Sequence, residues 1–158
     1  MGTATPTATP TASPLRLRDV MSADPAYVSR DDTLQKAARM MDDLNVGVLP
    51  VCVNGRLEGV VTDRDITVRC TAAGTDPTEG KVADAMSQHT QWCHDDDTVD
   101  TARAMMAERQ IRRLPVIDAD KQLVGIVSLG DIATKSGETA RAGDTLTEVS
   151  NPSEPDRR

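Results

Sequence analysis

Aromatic side chains are nearly missing from this sequence: 158 residues hold one tryptophan, Trp92, one tyrosine, Tyr27, and no phenylalanine. Any core must therefore be built from Val, Leu, Ile, Ala and Met, each large one worth about 1.5–3 kcal/mol when fully buried. Cysteine is scarce too. Cys52, Cys70 and Cys93 are odd in number and unrelated in spacing, which argues against a disulfide framework and for a reducing, cytoplasmic setting. Long apolar runs are absent. The longest, 46–53, is broken by Gly47 and Pro50 and is far short of the ~20 residues of a spanning helix, so no membrane partner is expected. The first residues have neither a basic nor an apolar signal region, so no signal peptide is expected, and Pro6 stands where a myristoylation motif behind Gly2 wants Ser or Thr. Positive charge is not in excess either. The net charge is −7 and the pI about 4.8, which excludes a nucleic-acid footprint over the whole surface. Finally, there is no phosphate-binding Gly-Lys loop, no dinucleotide fingerprint and no nucleophile–base pair, so an enzyme is not expected.

What the chain does contain is a repeat. Residues 1–14 are an uncharged Thr-, Ala- and Pro-rich tail, and 136–158 read as mostly disordered apart from a turn of structure near 146–149. Between the tails, Asp19-Val20-Met21-Ser22 matches Asp84-Ala85-Met86-Ser87, Met40-Met41 matches Met105-Met106, and Leu49-Pro50-Val51 matches Leu114-Pro115-Val116, all at an offset of 65 residues. After one inserted residue, Gly59-Val60-Val61-Thr62-Asp63-Arg64-Asp65 matches Gly125-Ile126-Val127-Ser128-Leu129-Gly130-Asp131 at an offset of 66. So many segments in one register establish two halves, 15–75 and 81–135.

Each half predicts the order β-α-β-β-α, preceded by a lead-in helix over 16–21 or 81–86. A short strand follows at 26–28 or 91–93. The next helix covers 33–44 or 98–109, with start signals at Asp32 and Gln35 or at Asp97 and Asp100. Its buried stripe is Leu34, Ala37, Ala38 and Met41, or Val99, Ala102, Met105 and Met106. A hairpin of 47–53 with 57–61 turns at Asn54-Gly55, and its counterpart joins 114–117 to 123–127. A last helix starts at Asp63 or Leu129. The fold class is thus α/β (α+β): two pseudosymmetric units packed sheet to sheet.

The hydroxyl-x-x-Asp of each motif has two readings. Thr62 with Asp65, and Ser128 with Asp131, can form a capping box and nothing more. The same groups at the carboxyl end of a strand suit an anion or a ribose. Arg64 in the first motif stands where the second has Gly130: an Arg there can reach a phosphate, while Gly lets the backbone approach closely.

The runs Val46-Gly47-Val48-Leu49-Pro50-Val51 and Ile111-Arg112-Arg113-Leu114-Pro115-Val116, with the two Gly…Asp motifs, resemble a tandem pair of cystathionine-β-synthase (CBS) domains, a Bateman module. The resemblance covers 15–135 and is nearest to small stand-alone bacterial proteins of the hypoxic-response type. It implies two such units around a central cleft, in a non-catalytic regulatory module that binds an adenosine derivative there (AMP or ATP above all, NADH or S-adenosylmethionine otherwise), often as a homodimer acting on an effector protein. It assigns the ribose hydroxyls to Asp65 and Asp131, and the neighbourhood of ribose and phosphates to Thr62 and Ser128. The adenine would lie against the backbone around Val46, Val48 and Pro50, or Ile111, Arg113 and Pro115. Arg64, Arg112 and Arg113 are candidate phosphate anchors. The alternative is a ligand-independent dimeric stress scaffold whose motif residues only cap helices.

Tyr27 and Trp92 share one repeat position and read as plugs at the sheet ends or as stacking partners for a base. Met40, Met41, Met105 and Met106 read as core or dimer contact. His89, Cys93 and His94 match no strong zinc spacing; Cys93 reads as a strand residue and Cys52 as a small buried hydrophobe, and no metal is expected.

Overall fold

The computed structural model describes Gly2 and residues 13–136. The tails expected at 1–14 and 136–158, with the turn near 146–149, fall outside the described residues except at their inner ends. The element order is α1 (Leu17–Val20), β1 (Ser22–Ala23), α2 (Leu34–Leu44), β2 (Val48–Val53), β3 (Arg56–Thr62), α3 (Asp63–Asp65), α4 (Val82–Ala85), β4 (Cys93–His94), α5 (Val99–Arg109), β5 (Arg113–Ile117), β6 (Leu123–Ser128) and α6 (Leu129–Lys135). A π-helical turn, Ile66–Thr71, continues α3.

Local chemistry explains the boundaries. Asn54 (φ 52°) and Gly55 (φ 78°) both take positive φ, as a two-residue turn matched to strand twist requires. The second hairpin turns on Asp118, whose carboxylate accepts the amides of Asp120 and Gln122 at 2.9 Å each. Helices α2 and α5 are capped one residue later than expected. Thr33 Oγ1 accepts the Lys36 amide and Thr98 Oγ1 the Thr101 amide, both at 3.1 Å, because the threonines are the last residues with extended backbone. Asp32 and Asp97 instead close the preceding turns by accepting the amides of Ser29 and His94 at 2.8 Å. The buried stripes are narrower than expected: Leu34, Ala37 and Met41 on α2, and Val99, Ala102 and Met106 on α5. Ala38 is exposed and Met105 half-buried, since each helix lies on a small sheet along one line.

The sheets carry the main topological result. One has the order β1-β6-β5-β4. The other is the β2-β3 hairpin, flanked by single bridges from Val28 to Val51 and from Ser87 to Val60. The strand expected at 26–28 is thus one parallel bridge, and its counterpart is β4. β1, from the first half, pairs with β6 of the second; Ser87, from the second, pairs with β3 of the first. The lead-in helices cross over in the same way. Leu17 and Val20 pack with Met106, Leu114 and Ile132, while Val82 and Ala85 pack with Leu34, Leu49 and Val61. Each core is closed by a segment from the other half.

This exchange explains the motif glycines. A Cβ on Gly59 would collide with the Ser87 carbonyl oxygen, and one on Gly125 would meet the Met21 side chain and come within 3.0 Å of the Ser22 oxygen. The crossing segments occupy the space where a side chain would stand. The hairpin tips join the halves as well, through Leu57 N–H to Lys121 O (3.2 Å) and Leu123 N–H to Gly55 O (2.9 Å).

Candidate functional site

Each motif strand ends in a complete capping box. Thr62 Oγ1 accepts the Asp65 amide at 3.0 Å while Asp65 Oδ2 accepts the Thr62 amide at 3.0 Å. Ser128 Oγ accepts the Asp131 amide at 3.0 Å, and Asp131 Oδ2 accepts both the Ser128 amide (2.9 Å) and its hydroxyl (2.8 Å). Such a box satisfies two backbone donors reciprocally. The other carboxylate oxygen of each Asp faces a cation four residues on: Asp65 Oδ1 lies 3.8 Å from Arg69, and Asp131 Oδ1 lies 3.3 Å from Lys135. Neither cation was singled out by the motif. The signal was there, since Arg69 and Lys135 share the offset of 66.

Between the two halves lies an open cleft of about 1520 Å3. The first half contributes Val48, Pro50, Thr62, Asp63 and Arg64; the second contributes Ile111, Arg113, Pro115, Ser128 and Gly130. Nine of the residues expected at a ligand site are therefore brought together: Val48, Pro50, Thr62, Arg64, Ile111, Arg112, Arg113, Pro115 and Ser128. Val46, Asp65 and Asp131 do not line it. Val46 packs against the first core, and the two carboxylates are held back in the capping boxes, 17% and 20% exposed.

The charge on the cleft wall is the opposite of the chain's. Arg64, Arg109, Arg112 and Arg113 face it together with one carboxylate, Asp63. Asp63 is itself engaged, accepting the Arg64 amide at 2.7 Å. Arg109 lies 3.9 Å from Glu108; among the described residues Arg64, Arg112 and Arg113 have no ion-pair partner. Arg109 and His89 are cleft residues that pattern reading did not assign, because their first-half counterparts, Leu44 and Asp24, do not line it.

Tyr27 and Trp92 are neither core plugs nor cleft residues. They are 47% and 37% exposed, and Trp92 stands edge-on to His94 with ring centroids 5.0 Å apart. The expectation of plugs fails because Val28 and Cys93, one residue on, take the inward positions. Met41 and Met106 are core residues, with Met40 and Met105 packed against them. All three cysteines are buried and free. Burial first, and then the charges of Glu58 and Asp97, push the thiols of Cys52 and Cys93 up to about 11, so both are neutral and poor ligands. Among the described residues, no three His, Cys, Asp or Glu side chains are grouped to hold a metal ion.

Comparison with known proteins matches the CBS domain twice, at residues 17–70 and again at 82–138. The chain belongs to the CBS-domain family. The CBS pair is 41% identical over 135 residues to the CBS domain-containing protein YhcV of Bacillus subtilis, covering 85% of this chain and 95% of that one. Among solved structures it resembles a hypoxic response protein I with two coordinated zinc ions (36% identity, TM-score 0.68, 75% of this chain and 96% of the other). It also resembles the CBS domain pair of protein MJ0100 in complex with 5-methylthioadenosine and S-adenosyl-L-methionine (26% identity, TM-score 0.65, 75% and 96%). The fold is that of a CBS pair. The relative's zinc finds no matching donor cluster among the described residues here.

Proposed function

We propose that this CBS pair binds an adenosine-bearing nucleotide in the cleft between its halves and regulates an effector protein through the resulting change of shape. One observation carries the reading: an acidic chain of net charge −7 presents four arginines against a single carboxylate on the wall of the cleft between its halves. The four side chains are exposed and open to the cleft, and phosphate oxygens can take up the planar donors of arginine in bidentate, charge-assisted hydrogen bonds. The volume exceeds the roughly 300–1,000 Å3 of ordinary ligand pockets and accommodates two nucleotides or one extended ligand. The adenosine derivatives bound by the MJ0100 pair support the adenine moiety.

In this reading Thr62 and Ser128 sit beside the ribose and phosphates, and Asp65 and Asp131 accept the ribose hydroxyls. Val46, Val48 and Pro50, or Ile111, Arg113 and Pro115, frame the base. Arg64, Arg112 and Arg113 anchor phosphate. AMP or ATP suits this charge better than an uncharged nucleoside. The protein works without catalysis, as a cytoplasmic homodimer in a stress response, in keeping with its hypoxic-response relative.

A second reading is favoured by the completed capping boxes: a dimeric scaffold in which Asp65 and Asp131 only terminate strands and start helices. Isothermal titration with AMP, ATP, NADH and S-adenosylmethionine separates the two. The nucleotide reading expects saturable binding of AMP or ATP, lost at one half-site in Asp65→Ala or Asp131→Ala and weakened at least tenfold in Arg113→Ala, about 1.4 kcal/mol. No binding of any of the four, with both Asp variants merely less stable by the ~1 kcal/mol of a lost cap, leaves the scaffold.

A further inference from the structure

One contact occurs twice by pseudosymmetry, and neither helix capping nor the cleft requires it. Arg69 reaches in two directions: Nη2 lies 3.8 Å from Asp65 Oδ1, and Nη1 donates to the carbonyls of Ala85 (2.8 Å) and Met86 (3.1 Å). Lys135 does the same in the other half, 3.3 Å from Asp131 Oδ1 and donating to the Val20 carbonyl at 3.1 Å. Val20 and Ala85 are the same repeat position. Each ends a lead-in helix that has crossed from the other half, where the last carbonyls lack intrahelical partners and favour a cation. The side chains differ, Arg against Lys, so the feature kept in both halves is a cation joining the motif carboxylate to the crossing segment.

We infer that Arg69 and Lys135 are latches that transmit nucleotide occupancy of a half-site to the segment crossing over it. The inference rests on the nucleotide reading above. An ionised carboxylate offers about four acceptor positions on its two oxygens. The capping boxes use Oδ2 of both aspartates. The oxygen left for a ribose diol is Oδ1, where the cation stands. A diol arriving on Asp65 competes with Arg69, and the guanidinium loses the anchor that orients it towards Ala85 and Met86. Residues 82–87 then loosen, and they carry core side chains Val82 and Ala85 as well as the Ser87–Val60 pairing. Asp131 acts in the same way on 17–23 through Lys135. A ligand can shift an equilibrium only through different affinity for two states; here the latched state withholds the oxygen that the ligand needs.

The test is amide hydrogen exchange on the full chain with and without saturating AMP, ATP or S-adenosylmethionine, with binding followed by calorimetry in the same samples. The Met86 and Ser87 amides, bonded to Val82 O (2.9 Å) and Val60 O (2.8 Å), are expected to exchange several-fold faster, roughly fivefold or more, when nucleotide is bound. Arg69→Met is expected to show the fast rate without nucleotide and no further response, and Arg69→Lys to restore both the slow rate and the response. A nucleotide that binds by calorimetry but leaves wild-type exchange over 82–87 and 17–23 unchanged or slower overturns the latch and spares the nucleotide reading. If none of the three ligands binds, the nucleotide reading fails and the latch with it. The wild-type comparison decides even if Arg69→Met does not fold.

Discussion

At Thr62 the chain leaves β3 through three α-helical residues and a π-helical turn; at Ser128 it leaves β6 into a regular seven-residue α-helix. Both exits carry the same capping box with nearly the same distances. Around the boxes the halves diverge. Asp63 and Arg64 face the cleft in the first half, where the second has Leu129 and Gly130. Arg109, Arg112 and Arg113 face it in the second, where the first has Leu44, Gly47 and Val48. Backbone chemistry at a strand-to-helix turn admits few solutions and is kept in both copies. Charge on a cleft wall has no such constraint, and it has become lopsided. A ligand lying across the cleft therefore meets most of the positive charge on the side of the second half.

Substitutions that press on one half and spare the other sharpen this comparison. The largest effect is expected at the motif glycines. Gly59→Ala drives a Cβ into the Ser87 backbone carbonyl, whereas Gly125→Ala mainly displaces the Met21 side chain. Overpacking of this kind costs about 1–3 kcal/mol, with Gly59→Ala at the upper end or beyond and Gly125→Ala near the lower end. Urea denaturation measures both, and equal losses would mean that the two crossing segments press equally. Next come the caps. Thr62→Ala and Ser128→Ala should each cost about 1 kcal/mol and lower the thermal midpoint by similar amounts. A much larger loss at Ser128, whose hydroxyl also donates to Asp131, would show that the second box holds more than its helix.

The smallest effect is a pH slope. The Cys93 thiol is raised from 9.0 to about 11, by burial and then by Asp97. A group whose folded pKa is raised contributes stability fully present below the unfolded value and lost as pH rises through the folded one. Unfolding free energy should thus fall between about pH 9 and 11, as Cys52, raised to about 11 by burial and then by Glu58, also dictates. Cys93→Val, which gives the second half the residue that the first carries at Val28, should flatten that fall. An unchanged slope would assign it to other groups.

Much of this was legible without coordinates. The offset of 65 then 66, the Asn54-Gly55 turn and the hydroxyl-x-x-Asp boxes are local signals, each fixed by a few neighbouring residues, and all are found in the structure. The cap positions shifted by one residue because Asp32 and Thr33 can both cap, and only the backbone angles choose between them. Tyr27 and Trp92 suit by type either a plug at the sheet end or a stacking place beside a base; Val28 and Cys93, one residue on, take the buried positions instead. Among the candidate ligand residues, those on strand ends reach the cleft. Asp65 and Asp131 do not, since Oδ2 of each closes its own capping box and Oδ1 faces a cation of the same helical exit.

By itself, the sequence determined that there are two copies of one unit, where the Asn54-Gly55 turn falls and that Thr62 with Asp65 and Ser128 with Asp131 close capping boxes, because these depend on contacts within a few residues. Only the tertiary structure decided which half each lead-in helix serves. Nothing in Leu17 and Val20, or in Val82 and Ala85, distinguishes packing on their own sheet from packing on the other. That choice is made by the crossing of β1 and Ser87 onto glycines far away in sequence, and it brings Arg69 and Lys135 to carbonyls 16 and 115 residues distant.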